Sequence, residues 1–330
     1  MAELIDVRRI YSDGFHNAFT DLLRWQGRYY LTFRQSDNHG LQPPGHVLVM
    51  HSADLGSWDI CGRISTGGDD RDPKLIDAGD RLGLILGTWY PRWQDGSIAN
   101  TPHDLVSQVT VSRDGTCWPV PRQCYSPNYW LWRVLPAEDR FVCAAYHFPR
   151  REDRLMRSVH LLVSDDLVDW RLHRFMREGY GSGEPVLYQP EPGVLHCVLR
   201  ATEPDNHSWL GRSRTPYTQW EWADLGAMIH APVVLKVADR WICAGRSQPK
   251  DLPPGTVEPD SGHHTSVWDI TDGRAEHLLT VPSAGDCSYC GLAFAPDGTV
   301  AMSYYSQHEW MPLPPGQPTP ADIFLARFRL

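Results

Sequence analysis

One unit recurs along this chain and governs what it can fold into: an apolar strand, a tight turn rich in Gly and Asp, and a second apolar strand. In the first copy, residues 18–23 turn at Gln26-Gly27 and return over 29–33. Residues 74–76 pair with 82–86 across Ala78-Gly79-Asp80, and 131–135 with 141–145 across Glu138-Asp139. Segments 185–188 with 194–199, 232–237 with 241–244, and 291–294 with 299–303 across Pro296-Asp297-Gly298 complete six copies. Helical periodicity is almost absent. A spacing of roughly fifty residues marks a radial or stacked repeat.

Between these hairpins lies a second, weaker repeat of the form S-x-D-x-x-x-W. It appears at Ser52, Asp54 and Trp58, at Ser112, Asp114 and Trp118, and at Ser164, Asp166 and Trp170, with a degenerate copy from Ser213 to Trp220. Such a turn lets the Asp accept local backbone N–H groups while the Trp packs beneath. Two hairpins per copy make a four-stranded blade, and six blades close a ring without open edges. The expected fold is all-β, a six-bladed β-propeller with four-stranded antiparallel blades. Residues 323–329 follow the sixth hairpin, and residues 4–10 complete that blade and clasp the ring. No linker or shift in composition divides the chain, so residues 1–330 read as one domain.

Composition agrees with this reading and excludes several function classes. The 330 residues are 42% hydrophobic, enough for a large core, and 27 Gly, 27 Pro and 14 Trp suit short strands joined by turns. Net charge is −9 and no Lys/Arg run occurs, which argues against nucleic acid as a partner. Arg150, Arg151, Arg154 and Arg157, broken by Glu152 and Asp153, read as a solvated loop. The N-terminus lacks the apolar core and cleavage site of a secretory signal, and no stretch approaches the ~18 apolar residues of a membrane span. Of eight cysteines, Cys143, Cys197 and Cys243 sit within strand patterns, so reduced thiols and a cytoplasmic location are expected. Cys287-Ser-Tyr-Cys290 has half the spacing of a zinc site with no complement, and the tandem His263-His264 lacks a spaced partner. No metal or cofactor is expected.

Propeller geometry turns the repeat into a map of one end of the channel. Residues just before the first strand of each hairpin, and just after the second, gather there. The first set holds His16, Asn17 and Asp21, then Arg71 and Asp72, Arg133, Glu184, His230, and Asp286 with Tyr289. The second holds Arg34 and Asp37, Trp89 and Tyr90, His147, Arg200, Arg246, and Tyr304, Tyr305 and His308. Five arginines at equivalent positions suit a carboxylate, sulfate or phosphate, because the planar guanidinium binds two oxygens at once. The loops 249–262 and 310–320 are candidate rims over this mouth.

Together these segments resemble the sialidase superfamily of six-bladed propellers, and the S-x-D-x-x-x-W turns resemble its Asp-boxes (BNR repeats). Glu184-Pro-Val-Leu followed by Arg200 is similar to the segment where a glutamate precedes a substrate-binding arginine. Asp286-Cys-Ser-Tyr289 resembles the segment with the nucleophilic tyrosine. Arg246 stands where a second arginine sits, Arg34 with Asp37 resembles the loop carrying an arginine and the acid/base aspartate, and Asp72-Pro73 matches a recurrent Asp-Pro. The resemblance implies a glycoside hydrolase in which a neutral phenol attacks an anomeric centre that would repel a carboxylate. Glu184 would take the proton of Tyr289, and Asp37 or Asp72 would protonate the leaving oxygen. Arg34, Arg71, Arg133, Arg200, Arg246, Asp21, His147, His230 and Tyr305 would bind substrate. Two departures fall together: the first blade opens His16-Asn-Ala-Phe-Thr-Asp21 with no arginine, and Tyr304-Tyr305-Ser306 stands where a supporting glutamate is usual.

The leading expectation is an exo-glycosidase acting on a terminal, acidic sugar. A second is a polysaccharide lyase cleaving uronate glycans by β-elimination, with a base drawn from His147, His230, His308 or Tyr305. A third is a non-catalytic glycan-binding propeller, which the fold alone does not decide.

Overall fold

Each hairpin read from the sequence is the inner half of a four-stranded antiparallel sheet in the computed structural model. The structure describes residues 2–40, 44–90, 92–95, 97–99, 105–137, 139–148, 156–312 and 319–330. Blade 1 comprises His16–Trp25, Arg28–Ser36, His46–Ser52 and Asp59–Ile64, and blade 2 Asp69–Asp77, Leu82–Trp89, Leu105–Ser112 and Arg122–Gln123. Blade 3 comprises Tyr129–Ala137, Arg140–His147, Met156–Ser164 and Arg171–Tyr180, and blade 4 Gly183–Tyr188, Val194–Arg200, Trp209–Arg214 and Glu221–Asp224. Blade 5 comprises His230–Val237, Arg240–Ser247, His264–Asp269 and Glu276–Val281. Blade 6 takes Cys287–Phe294, Val300–Ser306 and Asp322–Arg329 from one end of the chain and Glu3–Tyr11 from the other.

Pairing of Glu3–Tyr11 with Asp322–Arg329 clasps the ring as expected. Inner strands of neighbouring blades touch all the way round, sixth against first included. Apolar faces of adjacent blades press together there: Ala18, Leu22, Ala293, Tyr305 and Ile323 belong to one buried cluster spanning the closure. Among the described residues, no helix is long and apolar enough to cross a membrane. All eight cysteines are unpaired thiols.

The S-x-D-x-x-x-W segments form tight turns between the third and fourth strands. Asp54 Oδ1 accepts the N–H of Gly56 at 2.7 Å, and Asp114 and Asp166 repeat this with Thr116 and Val168, both at 2.8 Å. Trp58 and Trp170 donate their indole N–H to the carbonyls of Leu55 and Leu167.

Two details differ from expectation. The inner strands begin several residues before the apolar runs, so His16, Arg71, Glu184 and His230 lie within strands rather than ahead of them. His16, Arg71 and His230 pair across their hairpins with Ser36, Gly87 and Arg246. Arg157, read as part of a solvated loop, instead opens the third strand of blade 3, half-buried against the rings of Phe148 and Tyr146. Arg150, Arg151, Glu152, Asp153 and Arg154 lie outside the described residues, as do Glu138 and residues 313–318.

Candidate functional site

Every inner strand breaks register at the same height. Two residues go unpaired in each blade: Phe19-Thr20, Asp72-Pro73, Trp132-Arg133, Glu184-Pro185, Ala231-Pro232 and Tyr289-Cys290. A bulge adds one residue to a strand and re-aims its side chain. At five of these sites the first residue has positive φ: 62° at Phe19, 49° at Asp72, 48° at Glu184, 52° at Ala231 and 50° at Tyr289. That backbone costs on the order of 1–3 kcal/mol per residue and persists only where its surroundings impose it. The strained positions form the floor of the mouth, and three of them carry ionisable side chains.

Glu184 and Tyr289 meet on that floor. Tyr289 donates its hydroxyl to Glu184 Oε1 at 2.6 Å, Arg200 donates to the same oxygen at 2.6 Å, and the Ala231 N–H reaches Oε2 at 2.7 Å. Burial pushes the Glu184 carboxyl up, but Arg200, His230 and the Tyr289 bond outweigh it and bring it down to about 2. Burial, with Glu184 and Asp72 nearby, holds the Tyr289 phenol far above its usual range, against Arg200 and Arg246. At rest the pair is a neutral phenol bonded to a carboxylate. Thr20 fixes its backbone by donating to the Tyr289 carbonyl at 2.7 Å.

Around the pair, most arginines already hold a carboxylate. Arg246 bonds Asp286 Oδ1 at 2.8 Å, the Tyr305 hydroxyl at 2.9 Å and the Cys287 carbonyl, while Tyr305 donates to the same Asp286 oxygen at 2.7 Å. Arg34 and Arg71 share Asp69, at 2.7 and 3.0 Å. They also pin the following loop: Arg34 holds the carbonyls of Asn38 and Gly40 at 2.9 and 3.1 Å, and Arg71 holds Gly40 at 3.3 Å. Arg200 uses Nη1 for Glu184 and stays 30% exposed, the most open of these guanidiniums. Arg157, 3.6 Å from where a Cβ on Gly183 would lie, stands beside it.

Asp72 is buried, and its Oδ1 has no hydrogen-bond partner among the described residues. Burial, then the Glu184 charge, raises its carboxyl against the pull of Lys74 and Arg71. Lys74 was not singled out by the sequence, yet its ammonium is buried 4.9 Å from the Trp132 ring centre and 5.9 Å from that of Tyr289. Burial and Arg133 lower it to about 8.

The other residues expected to bind substrate are engaged by the protein itself or stand apart from the pair. Arg133 and Asp21 sit one step further along the strands, bonded at 2.6 Å, with Arg133 also on the Cys290 carbonyl and Asp21 on the Leu75 N–H. These bonds tie Arg133 of blade 3 to blades 1 and 6. His230 is a strut whose Nε2 faces the carbonyls of Ala201 and Asn206 at 3.1 and 2.8 Å. His147 stacks on Tyr129 and meets His160 within its own blade. Asp37 is exposed and has no hydrogen-bond partner among the described residues, whereas His39, two residues on, reaches Asp286 Oδ2 at 2.5 Å.

Where the first blade lacks an arginine, His16 is fully buried and its Nε2 lies 2.9 Å from that same Asp286 oxygen. His16, His39 and Asp286 converge within 4.8 Å, the one group of three such donors among the described residues. Two imidazoles on one oxygen and a guanidinium on the other complete the hydrogen bonding of this carboxylate. A dication there would face Arg246 at close range, so the cluster reads as a hydrogen-bonded one.

No family model matches the sequence, and no curated protein sequence matches it. Solved structures match well. A protein of unknown function from Dyadobacter fermentans aligns over 100% of this chain and 99% of its own, with TM-score 0.78 and 18% identity. A Trypanosoma rangeli sialidase bound to the inhibitor DANA aligns over 95% of this chain and 55% of its own, with TM-score 0.66 and 13% identity. The phage phi92 endosialidase covers 98% of this chain and 69% of its own, also at TM-score 0.66 and 13% identity. The fold is that of the sialidase-like propellers. A thermostable family-43 glycoside hydrolase matches more distantly, at TM-score 0.54 and 12% identity. Glycoside hydrolases thus recur among proteins built on this ring, and this chain spans just over half the length of the Trypanosoma enzyme.

Proposed function

We propose that this sialidase-like propeller is a retaining exo-glycosidase acting on a terminal acidic sugar, with Tyr289 as nucleophile and Glu184 as its base. The observation that carries this reading is the 2.6 Å bond from the Tyr289 hydroxyl to Glu184 on the floor of the mouth. A phenol so far from ionising is inert alone; it attacks only as its proton passes to Glu184. The Tyr289 oxygen bonds to the anomeric carbon, the glycosidic C–O bond breaks, and the leaving oxygen takes a proton from the blade 1 and blade 2 side, where Asp72 and the loop after Arg34 stand. Arg200, with Arg157 beside it, is the guanidinium open to a sugar carboxylate.

A panel of aryl glycosides of acidic and neutral sugars tests the assignment. Tyr289→Phe and Glu184→Gln variants that stay folded are expected to lose turnover by about 10²-fold or more. A fluorinated mechanism-based glycoside should leave a covalent adduct on Tyr289, read by peptide mass spectrometry. Unchanged turnover in both variants, or an adduct elsewhere, sinks the mechanism.

A further inference from the structure

The loop after Arg34 was expected to bring an aspartate to the site, and it brings a histidine instead. Asn38 and Gly40, the neighbours of His39 on either side, have their carbonyls held by the buried Arg34 and by Arg71. The imidazole is therefore carried on a braced backbone. Its ring lies edge-on to Phe19, at 5.3 Å between centres, and to His16 at 5.7 Å. Phe19, the blade 1 counterpart of Asp72, Glu184 and Tyr289, packs in turn on the Tyr289 ring at 4.8 Å between centres, so His39 is one ring away from Tyr289. His39 is also among the charges that act on Asp72.

Nδ1 is committed to Asp286, and Asp286 is itself fixed by Arg246, Tyr305 and His16. Nε2 has no hydrogen-bond partner among the described residues, and the side chain is 47% exposed. A carboxylate that orients one ring nitrogen and leaves the other open to substrate is how proteins build a proton-transferring histidine.

We propose that His39, oriented by Asp286, is the general acid/base of the glycosidase reaction. The proposal rests on the retaining mechanism above. In the first step the His39 imidazolium gives its Nε2 proton to the glycosidic oxygen as the C–O bond breaks and the Tyr289 oxygen bonds to the anomeric carbon, the phenol proton going to Glu184. In the second step neutral His39 takes a proton from water, whose oxygen bonds to the anomeric carbon while Tyr289 departs and recovers its proton from Glu184. One imidazole thus loses and regains a proton, and the cycle balances. Asp72 is the rival donor. Its burial opposes the charged form that the second step needs, whereas the His39 side chain is open to solvent and substrate.

Leaving-group chemistry separates the roles. For the sugar that the wild type turns over best, methyl and 2,4-dinitrophenyl glycosides are compared in wild type, His39→Ala, His39→Gln and Asp72→Asn. A dinitrophenolate leaves without a proton, so His39→Ala should retain kcat/KM on that substrate to within about tenfold and lose about 10²–10⁴-fold on the methyl glycoside. Azide should accelerate His39→Ala on the dinitrophenyl substrate and yield the glycosyl azide, because a small anion needs no base. Circular dichroism identifies any misfolded variant, and His39→Gln repeats the test with a ring-sized polar side chain. Equal losses on both glycosides, or the leaving-group signature appearing in Asp72→Asn instead, overturn the proposal while the Tyr289 and Glu184 variants still judge the retaining mechanism. Chelator-sensitive turnover restored by zinc overturns it as well, since the cluster would then be a metal site. A wild type inert on the whole panel removes both readings.

Discussion

Glu184 carries three hydrogen bonds on two oxygens, and their loss on protonation gives the protein a specific acid sensitivity. Its folded carboxyl lies near 2 against 4.5 unperturbed. A depressed carboxyl contributes stability that is complete above the unfolded value and disappears as pH falls through the folded one. The window is therefore pH 4.5 down to 2, and the contribution about 3 kcal/mol. Urea unfolding at stepped pH should show wild-type stability falling across this window and a flatter profile for Glu184→Gln; parallel profiles would mean the pair is weaker than its geometry. Glu184, Tyr289 and Arg200 were legible because each flanks an apolar run in a recognisable segment. His39, Lys74 and Arg157 were not, since nothing in a sequence tells which loop residue two arginines will brace, or which lysine a ring will close over.

At the scale of strands, the bulges decide which side chains reach the floor. Three of the six were written in the sequence as Asp72-Pro73, Glu184-Pro185 and Ala231-Pro232, because proline inside a sheet is confined to edges and bulges. Phe19, Trp132 and Tyr289 carry no such mark, and all three lie in the buried cluster where neighbouring blades pack. Gly291 shows how tight that packing is: a Cβ there would overlap the backbone N of Leu22, across the junction of blades 6 and 1. Backbone cannot step aside as a side chain does. Gly291→Ala should cost about 3 kcal/mol or more and lower the thermal midpoint accordingly; a midpoint within a degree of wild type would show that the junction yields. The blunt boundaries read from apolar runs failed for a related reason, since strands extended into buried polar residues whose partners came from other blades.

Across the whole molecule, the six-fold repeat was the most readable property and the closure the most consequential. The ring is sealed by Glu3–Tyr11 on Asp322–Arg329, so blade 6 depends on both ends of the chain. Removing residues 2–11 exposes the long strand Asp322–Arg329 as an open edge, a template for pairing with another molecule. The truncated protein should sediment as oligomers and unfold less cooperatively than the full chain; a monomer with an unchanged transition would contradict this. The bulge ring has a further meaning for how such proteins diversify. Three of its six stations, Phe19, Trp132 and Ala231, hold side chains without acid or base, yet they stand at the same register break as Asp72, Glu184 and Tyr289, and Phe19 and Ala231 share their positive φ as well. Ala231 already touches Glu184 through its N–H and has its backbone in the required conformation. A new reaction therefore lies one codon away at such a station, whereas a new architecture would take an entire blade, which is how descendants of one ring can part chemically while their chains remain superimposable.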